Sequence, residues 1–213
     1  MKCEKKTMLL YAVTDRAWVG KQTLMEQVED ALKGGATCIQ LREKELDDEN
    51  FLQEAVEMKQ LCEKYQVPFI INDNVEIAVK CNADGIHVGQ SDMEAGNVRE
   101  VVGEKMILGV SAQTVEQAVA AEKAGADYLG VGAVFNTTTK LDACEVPHDT
   151  LKAICEAVSI PVVAIGGISK ANILELSGSG VDGVALVSAI FAVEDIEAEC
   201  KELFALSEKM VQA

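Results

Sequence analysis

A single (β/α)8 barrel spanning residues 1–213, with its working face at the C-terminal ends of the strands, is the fold this sequence predicts. Three observations predict it. Short β-rich runs alternate with longer helical segments throughout, turn sequences recur in front of several strands, and polar residues gather behind the strands.

The expected strands are Leu9–Thr14, Thr37–Arg42, Phe69–Asp73, Gly85–Val88, Met106–Ser111, Tyr128–Val134, Val162–Gly166 and Gly183–Val187. Helical segments such as Gln22–Lys33, Asp48–Tyr65, Val115–Lys123 and Glu194–Met210 fall between or after them. Eight such units in just over 200 residues fit a compact barrel better than a doubly wound open sheet. An internal echo supports the count: Lys33-Gly34-Gly35-Ala36-Thr37, Asn82-Ala83-Asp84-Gly85, Ala124-Gly125-Ala126-Asp127 and Gly178-Ser179-Gly180-Val181-Asp182-Gly183 each close a helix and lead into a strand. These are expected to be structural punctuation, since glycine accepts the left-handed conformation that ends helices. No linker, charge block or low-complexity tract suggests a second domain.

Composition narrows the function. A balance of 19 basic against 35 acidic residues, net −16, disfavours nucleic acid or an anionic bilayer as partner. No apolar run approaches membrane-spanning length, and Met8–Val13 is too short for a signal-peptide core, so a cytoplasmic protein is expected. The seven cysteines, odd in number and without a Cys-x-x-Cys pair, are expected to be reduced and mostly apolar filler.

The strand ends carry the chemistry. In Gln40-Leu41-Arg42-Glu43-Lys44, alternation places Gln40, Arg42 and Lys44 on one side, an amide and two cations that call for an anion to offset their desolvation. Asp73 and Asp92, just past the third and fourth strands, suit Mg2+, which typically takes one or two carboxylates and completes its shell with phosphate and water. Arg42, Lys44, Asn72 and Lys140 can bind the remaining oxygens of a diphosphate. The plainer reading of Asp73 is a cap on the following helix. Gly166-Gly167 and Val187-Ser188 each precede an expected helix and suggest a second anion site at strands seven and eight. His87 reads as a packed histidine, His148 as a solvated residue near a helix start, and Trp18 as a packing residue near the site mouth.

These residues carry a resemblance. Leu10-Tyr11-Ala12-Val13-Thr14-Asp15, Gln40-x-Arg42-x-Lys44, Asn72-Asp73, Gly85-Ile86-His87-Val88-Gly89-Gln90-x-Asp92, Gly109-Val110-Ser111, Thr137-x-Thr139-Lys140, Gly166-Gly167-Ile168 and Val187-Ser188 together resemble the thiamine phosphate synthase family over nearly the whole chain. The resemblance implies a (β/α)8 barrel that joins 4-amino-2-methyl-5-hydroxymethylpyrimidine diphosphate to a thiazole phosphate, or its carboxylate, with Mg2+ as cofactor and small molecules as partners. Diphosphate departure would leave a pyrimidine-stabilised carbocation, which the thiazole nitrogen attacks. It further implies that Arg42, Lys44, Asn72 and Lys140 hold the diphosphate and that Asp73 and Asp92 ligate the metal. Gln40 and Ser111 would face the pyrimidine, and Thr137, Thr139, Gly167, Val187 and Ser188 would surround the thiazole phosphate. Arg42, Lys44, Lys140 and Ser111 form the expected catalytic set, and a homo-oligomer is compatible with the resemblance.

Two departures stand out. Ala133 and Asn136 replace the prolines usual in the sixth-strand loop, which predicts less preorganisation there. Gln113 stands where relatives commonly carry histidine, which argues against a thiazole tautomerase-like enzyme; a non-catalytic binding paralogue is the other alternative.

Overall fold

Apolar residues run unbroken through most of the strands because both faces of the sheet are covered, as in parallel sheets wrapped by helices. The computed structural model describes residues 3–89, 95–137 and 145–213. Its strands are β1 (Leu10–Val13), β2 (Cys38–Leu41), β3 (Phe69–Asn72), β4 (Gly85–Val88), β5 (Ile107–Ala112), β6 (Tyr128–Val131), β7 (Val162–Ile165) and β8 (Gly183–Leu186). All neighbours pair in parallel and β8 closes on β1, giving an eight-stranded barrel. One face of each strand points outward: Leu10, Ile39, Leu41, Ile71 and Ile86 pack under the helices. The other face points inward, where Tyr11, Val13, Cys38, Ile70, Ile107, Tyr128 and Val163 fill the barrel.

The helices are α1 (Leu24–Lys33), α2 (Asp48–Tyr65), α3 (Val75–Lys80), α4 (Ala95–Val102), α5 (Val115–Lys123), α6 (His148–Ala157), α7 (Ser188–Phe191) and α8 (Ile196–Val211). Side-chain caps start several of them. Thr23 and Glu26 form a reciprocal capping box on α1, Asp47 caps α2 and Thr114 caps α5. The β7–β8 crossover departs from the expected helix: only a 3-10 turn, Ile173–Leu176, forms. There the Asn172 amide donates to the carbonyl of Gly167 (2.9 Å), and its oxygen accepts from the Ser169 N–H (2.8 Å), so local bonds displace the helical ones.

The recurring pre-strand turns do more than stop helices. The residue before each even-numbered strand accepts a backbone N–H from the strand preceding it: Thr37 from Leu10 (2.9 Å), Asp84 from Phe69 (2.9 Å), Asp127 from Leu108 (2.9 Å) and Asp182 from Val162 (3.0 Å). Cations brace the three carboxylates, Lys59 at Asp84, Arg99 at Asp127 and Lys5 at Asp182. The N-terminal rim is thus a fourfold clamp on strand ends.

The cysteines behave as expected among the described residues. None is paired, four are buried, and burial pushes the Cys62 and Cys200 thiols up to about 12. Cys144 lies outside the described residues.

Removing the Asp127 clamp leaves the Leu108 N–H without its acceptor and Arg99 with backbone carbonyls as its only partners among the described residues. Asp127→Ala should therefore destabilise the fold by about 1–3 kcal/mol in urea denaturation. An unchanged midpoint would show that this clamp is dispensable.

Candidate active site

The C-terminal rim opens on a cavity of about 200 Å³, lined by Tyr11, Gln40, Arg42, Lys44, Asn72, Asp73, His87, Ser111 and Tyr128 among others. The strand alternation places them there: Tyr11 and Gln40 point inward from β1 and β2, Asn72 and His87 from β3 and β4, and Ser111 and Tyr128 from β5 and β6. A smaller cavity of about 30 Å³ adjoins it, lined by Thr137, Gly167, Val187 and Ser188 with the ends of β7 and β8. Asp92, Thr139 and Lys140 lie outside the described residues.

Each expected cation among the described residues already has a partner. Arg42 Nη1 donates to Asp15 Oδ2 at 3.1 Å, and Lys44 Nζ to Asp73 Oδ2 at 2.9 Å. The expectation that only a bound anion offsets these charges is thus corrected, because Asp15 and Asp73 do so within the chain. Asn72 Nδ2 holds the other oxygen of Asp73 at 2.8 Å.

Asp73 is not a helix cap. The following residue, Asn74, accepts the Ile77 N–H and caps α3, while Asp73 sits in the left-handed region at φ 61°. A carboxylate held in that region for a purpose other than capping is consistent with a site residue.

The segment after β2 is organised by Glu43, which in the sequence reads as a mere spacer between the cations. Its side chain is 2% exposed, and Oε1 accepts the backbone N–H groups of Lys44 (2.7 Å), Glu45 (2.6 Å) and Leu46 (3.2 Å). Arg16 Nε donates to Oε2 at 2.8 Å, and Arg16 also grips Glu54 on α2. From the other side, the Arg42 N–H donates to the buried Thr14 hydroxyl at 3.0 Å. The backbone bearing Arg42 and Lys44 is therefore pinned on both flanks. Burial alone would raise the Glu43 pKa, but the Glu45 N–H, Arg16 and the Leu46 N–H together hold it below the usual 4.5.

Other residues take places the sequence does not fully disclose. His87 is packed, as expected, yet it also lines the cavity and is bonded through both ring nitrogens, Nδ1 to Tyr128 Oη (2.9 Å) and Nε2 to Ser111 Oγ (3.0 Å). Gln40 is buried and donates to Tyr11 Oη at 2.7 Å. Trp18 is 40% exposed and takes no part in lining the cavity. His148 opens α6 and is exposed.

The expectation of a helix N-terminus at the second anion site holds after Val187 and is corrected after Gly166-Gly167. After Gly166-Gly167 no α-helix follows, and after Val187 only the single turn α7 does. The paired glycines instead allow a close approach. Both have positive φ, and a Cβ on Gly167 would strike the backbone carbonyl oxygen of Phe135 at 2.8 Å. That approach gathers Thr137, Gly167 and Ser188 around the smaller cavity.

The family profile described as thiamine monophosphate synthase matches residues 10–190. The chain belongs to the thiamine monophosphate synthase family. It is 50% identical over 194 residues to a thiamine-phosphate synthase of Ruminiclostridium cellulolyticum, covering 91% of this chain and 92% of that one. A thiamine-phosphate synthase of Clostridium beijerinckii is 51% identical, with 91% and 93% covered. Among solved structures, thiamine phosphate pyrophosphorylase from Pyrococcus furiosus superposes with a TM-score of 0.90 at 38% identity, covering 97% of this chain and 98% of that one.

Within this family setting the departures acquire a structural context. The loop after β6 is tied to β7 without its prolines: Val134 N donates to the carbonyl of Ile165 (3.0 Å) and Phe135 N to that of Gly166 (3.1 Å), while Ala133 packs against Gly166. Gln113 donates to the carbonyl of Gly132 at 3.4 Å, so it braces the start of that loop.

Because the folded pKa of Glu43 is depressed, its charge contributes stability above its ordinary 4.5, and the contribution fades as pH falls through the lower folded value. Glu43→Gln should be less stable than the parent at neutral pH, with the gap closing as the solution is acidified below that range. Denaturant midpoints measured across pH test this, and a gap that persists at low pH would refute it.

Proposed function

We propose that this chain is a thiamine phosphate synthase, a transferase that joins 4-amino-2-methyl-5-hydroxymethylpyrimidine diphosphate to a thiazole phosphate and releases pyrophosphate. Family membership supports the reaction class. The observation that carries the assignment to this site is the grouping of Arg42, Lys44, Asn72 and Asp73 around one cavity with Gln40 and Ser111 inside it.

Magnesium fits the donors present. Among the described residues no group of three or more His, Cys, Asp or Glu side chains forms a metal cage, and Asp73, the one carboxylate among them that lines the cavity, suits an ion that draws its remaining ligands from substrate phosphate and water. Asp92, the second expected ligand, follows β4 outside the described residues. When bound, the ion would neutralise charge growing on the departing diphosphate.

The protein's own part is to hold and release. Lys44 exchanges Asp73 for a diphosphate oxygen, Arg42 does the same from Asp15, and Asn72 donates beside them. The bond between the pyrimidine methylene and the diphosphate oxygen breaks with its electron pair leaving on pyrophosphate. The thiazole nitrogen then donates its lone pair to the methylene carbon, with the thiazole phosphate seated among Thr137, Gly167, Val187 and Ser188. Thr139 and Lys140 complete the proposed substrate contacts. We read the protein as cytoplasmic; no helix among the described residues is long and apolar enough to cross a membrane.

Purified protein given both substrates and Mg2+ should form thiamine phosphate and pyrophosphate, and chelation should abolish product. Binding without turnover would instead favour a non-catalytic paralogue. Arg42→Ala and Lys44→Ala should each lower turnover by about two orders of magnitude or more, as loss of a preorganised charge stabiliser does. Near-normal rates in both would remove the diphosphate assignment.

A further inference from the structure

Five polar side chains inside the barrel form one unbroken chain of hydrogen bonds. Gln40 Nε2 donates to Tyr11 Oη at 2.7 Å, and the Tyr11 and Tyr128 hydroxyls lie 2.8 Å apart. Tyr128 Oη meets His87 Nδ1 at 2.9 Å, and His87 Nε2 meets Ser111 Oγ at 3.0 Å. The chain crosses the barrel, linking residues up to 117 positions apart in sequence.

Such a chain has a direction. Each phenol carries one proton, and burial, the leading cause in both, pushes the two pKa values well above 10, so both stay protonated. Tyr11 accepts from the Gln40 amide, and the series runs one way when its single proton is given to Tyr128. Tyr128 then donates to His87 Nδ1, which must be the bare nitrogen of a neutral ring. The ring proton sits on Nε2 and goes to Ser111 Oγ, and Ser111 turns its own proton away from the histidine. At the other end, the Gln40 carbonyl oxygen stays outside the chain as an acceptor. Reversing the Tyr11–Tyr128 bond reverses those to His87 and Ser111 with it and leaves Tyr11 accepting twice. A Tyr11 that accepts from Gln40 and donates onward couples the polarity of Gln40 to that of Ser111 across the barrel.

We propose that this chain is a polarity relay that fixes Gln40 as acceptor and Ser111 as donor, so that the pocket selects a pyrimidine bearing an exocyclic amino donor and a ring-nitrogen acceptor. This rests on the function proposed above and adds Tyr11, Tyr128 and His87 to it as positioning residues. The oxo counterpart of the ring, with a carbonyl acceptor where the amino group was and a protonated ring nitrogen beside it, presents the opposite pattern and is rejected. A site built to satisfy particular donors and acceptors discriminates strongly, because a mismatch leaves buried polar groups unpaired.

The relay can be read without turnover. With only two histidines, His87 and His148, in the chain, long-range proton–nitrogen correlation spectra of 15N-histidine-labelled protein report the His87 tautomer directly. The expected result is a neutral ring protonated at Nε2, shifting to a mixture in Tyr128→Phe. A ring protonated at Nδ1 in the parent protein would overturn the proposal.

Kinetics supply the second arm. Tyr11→Phe and Tyr128→Phe keep the rings and remove the hydroxyls. Each should raise KM for the pyrimidine diphosphate about tenfold and erode discrimination against the 4-oxo analogue by a similar factor, with KM for the thiazole phosphate unchanged. The double variant should be little worse than either single one, because the chain is already cut. Unaltered KM and selectivity in both variants, beside an active parent, would refute the relay alone. An inactive parent would refute the proposed reaction, while the tautomer still decides the relay's direction.

Discussion

A polar side chain on the inner face of a closed barrel has no free sheet edge to turn to, so its partners come from the other strands of that barrel or from the cavity at its rim. This constraint shapes the whole interior here. Gln40, Tyr11, Tyr128, His87 and Ser111 satisfy one another in series, and Arg42 and Lys44 at the rim lean on Asp15 and Asp73. The floor of the cavity is consequently a polar surface of fixed orientation resting on an apolar plug that includes Ile70, Ile107 and Val163.

Carboxylates do opposite work at the two ends of the barrel. At the N-terminal rim, Asp84, Asp127 and Asp182 accept backbone N–H groups and cannot leave without orphaning a strand end. At the C-terminal rim, Asp15 and Asp73 accept from long cationic side chains that can swing to another acceptor. The same residue type is thus locked into the fold on one face and held ready for exchange on the other, in keeping with stability and chemistry dividing between the faces of such barrels.

Strand positions are legible in the sequence because alternation and composition are local signals: Gly85–Val88 and the helices Asp48–Tyr65 and Val115–Lys123 fall on the residues expected. Strand ends are less so. The expected extension of β6 to Val134 fails, and the strand stops at Val131. Gly132 approaches the Ile165 carbonyl too closely for a side chain, which turns the backbone out of regular pairing. The interior network is illegible for a different reason. Nothing near Tyr11 in sequence announces Tyr128, and the room for these rings comes from glycines on other strands. A Cβ on Gly130 would press on His87 Cε1 at 3.0 Å, and one on Gly109 would enter the Tyr128 ring. Glu43 escapes notice because three of its partners are backbone N–H groups, which carry no sequence signature, and the fourth, Arg16, lies 27 positions away. The cation pair and the Asn72-Asp73 step are readable, but their mutual neutralisation depends on a distance between strand ends that only closure sets.

The strengths of these contacts are graded in a way that suits a site meant to receive charge. The pinning of Glu43 is buried and multiple: three backbone donors and a guanidinium converge on one carboxylate, and breaking it would strand several groups at once. The Lys44–Asp73 pair is looser, with side chains 54% and 29% exposed, and an ion pair of that exposure contributes only about 0–1 kcal/mol. Displacing it therefore costs an incoming diphosphate little. Arg42–Asp15, at 30% and 17%, is intermediate. Net charge of −16 opposes the approach of any anion, so affinity must arise locally, from cations whose backbone is immobile but whose partners are easily exchanged. Rigid anchorage and weak internal pairing together let the rim stay neutral when alone and bind anions without rebuilding itself.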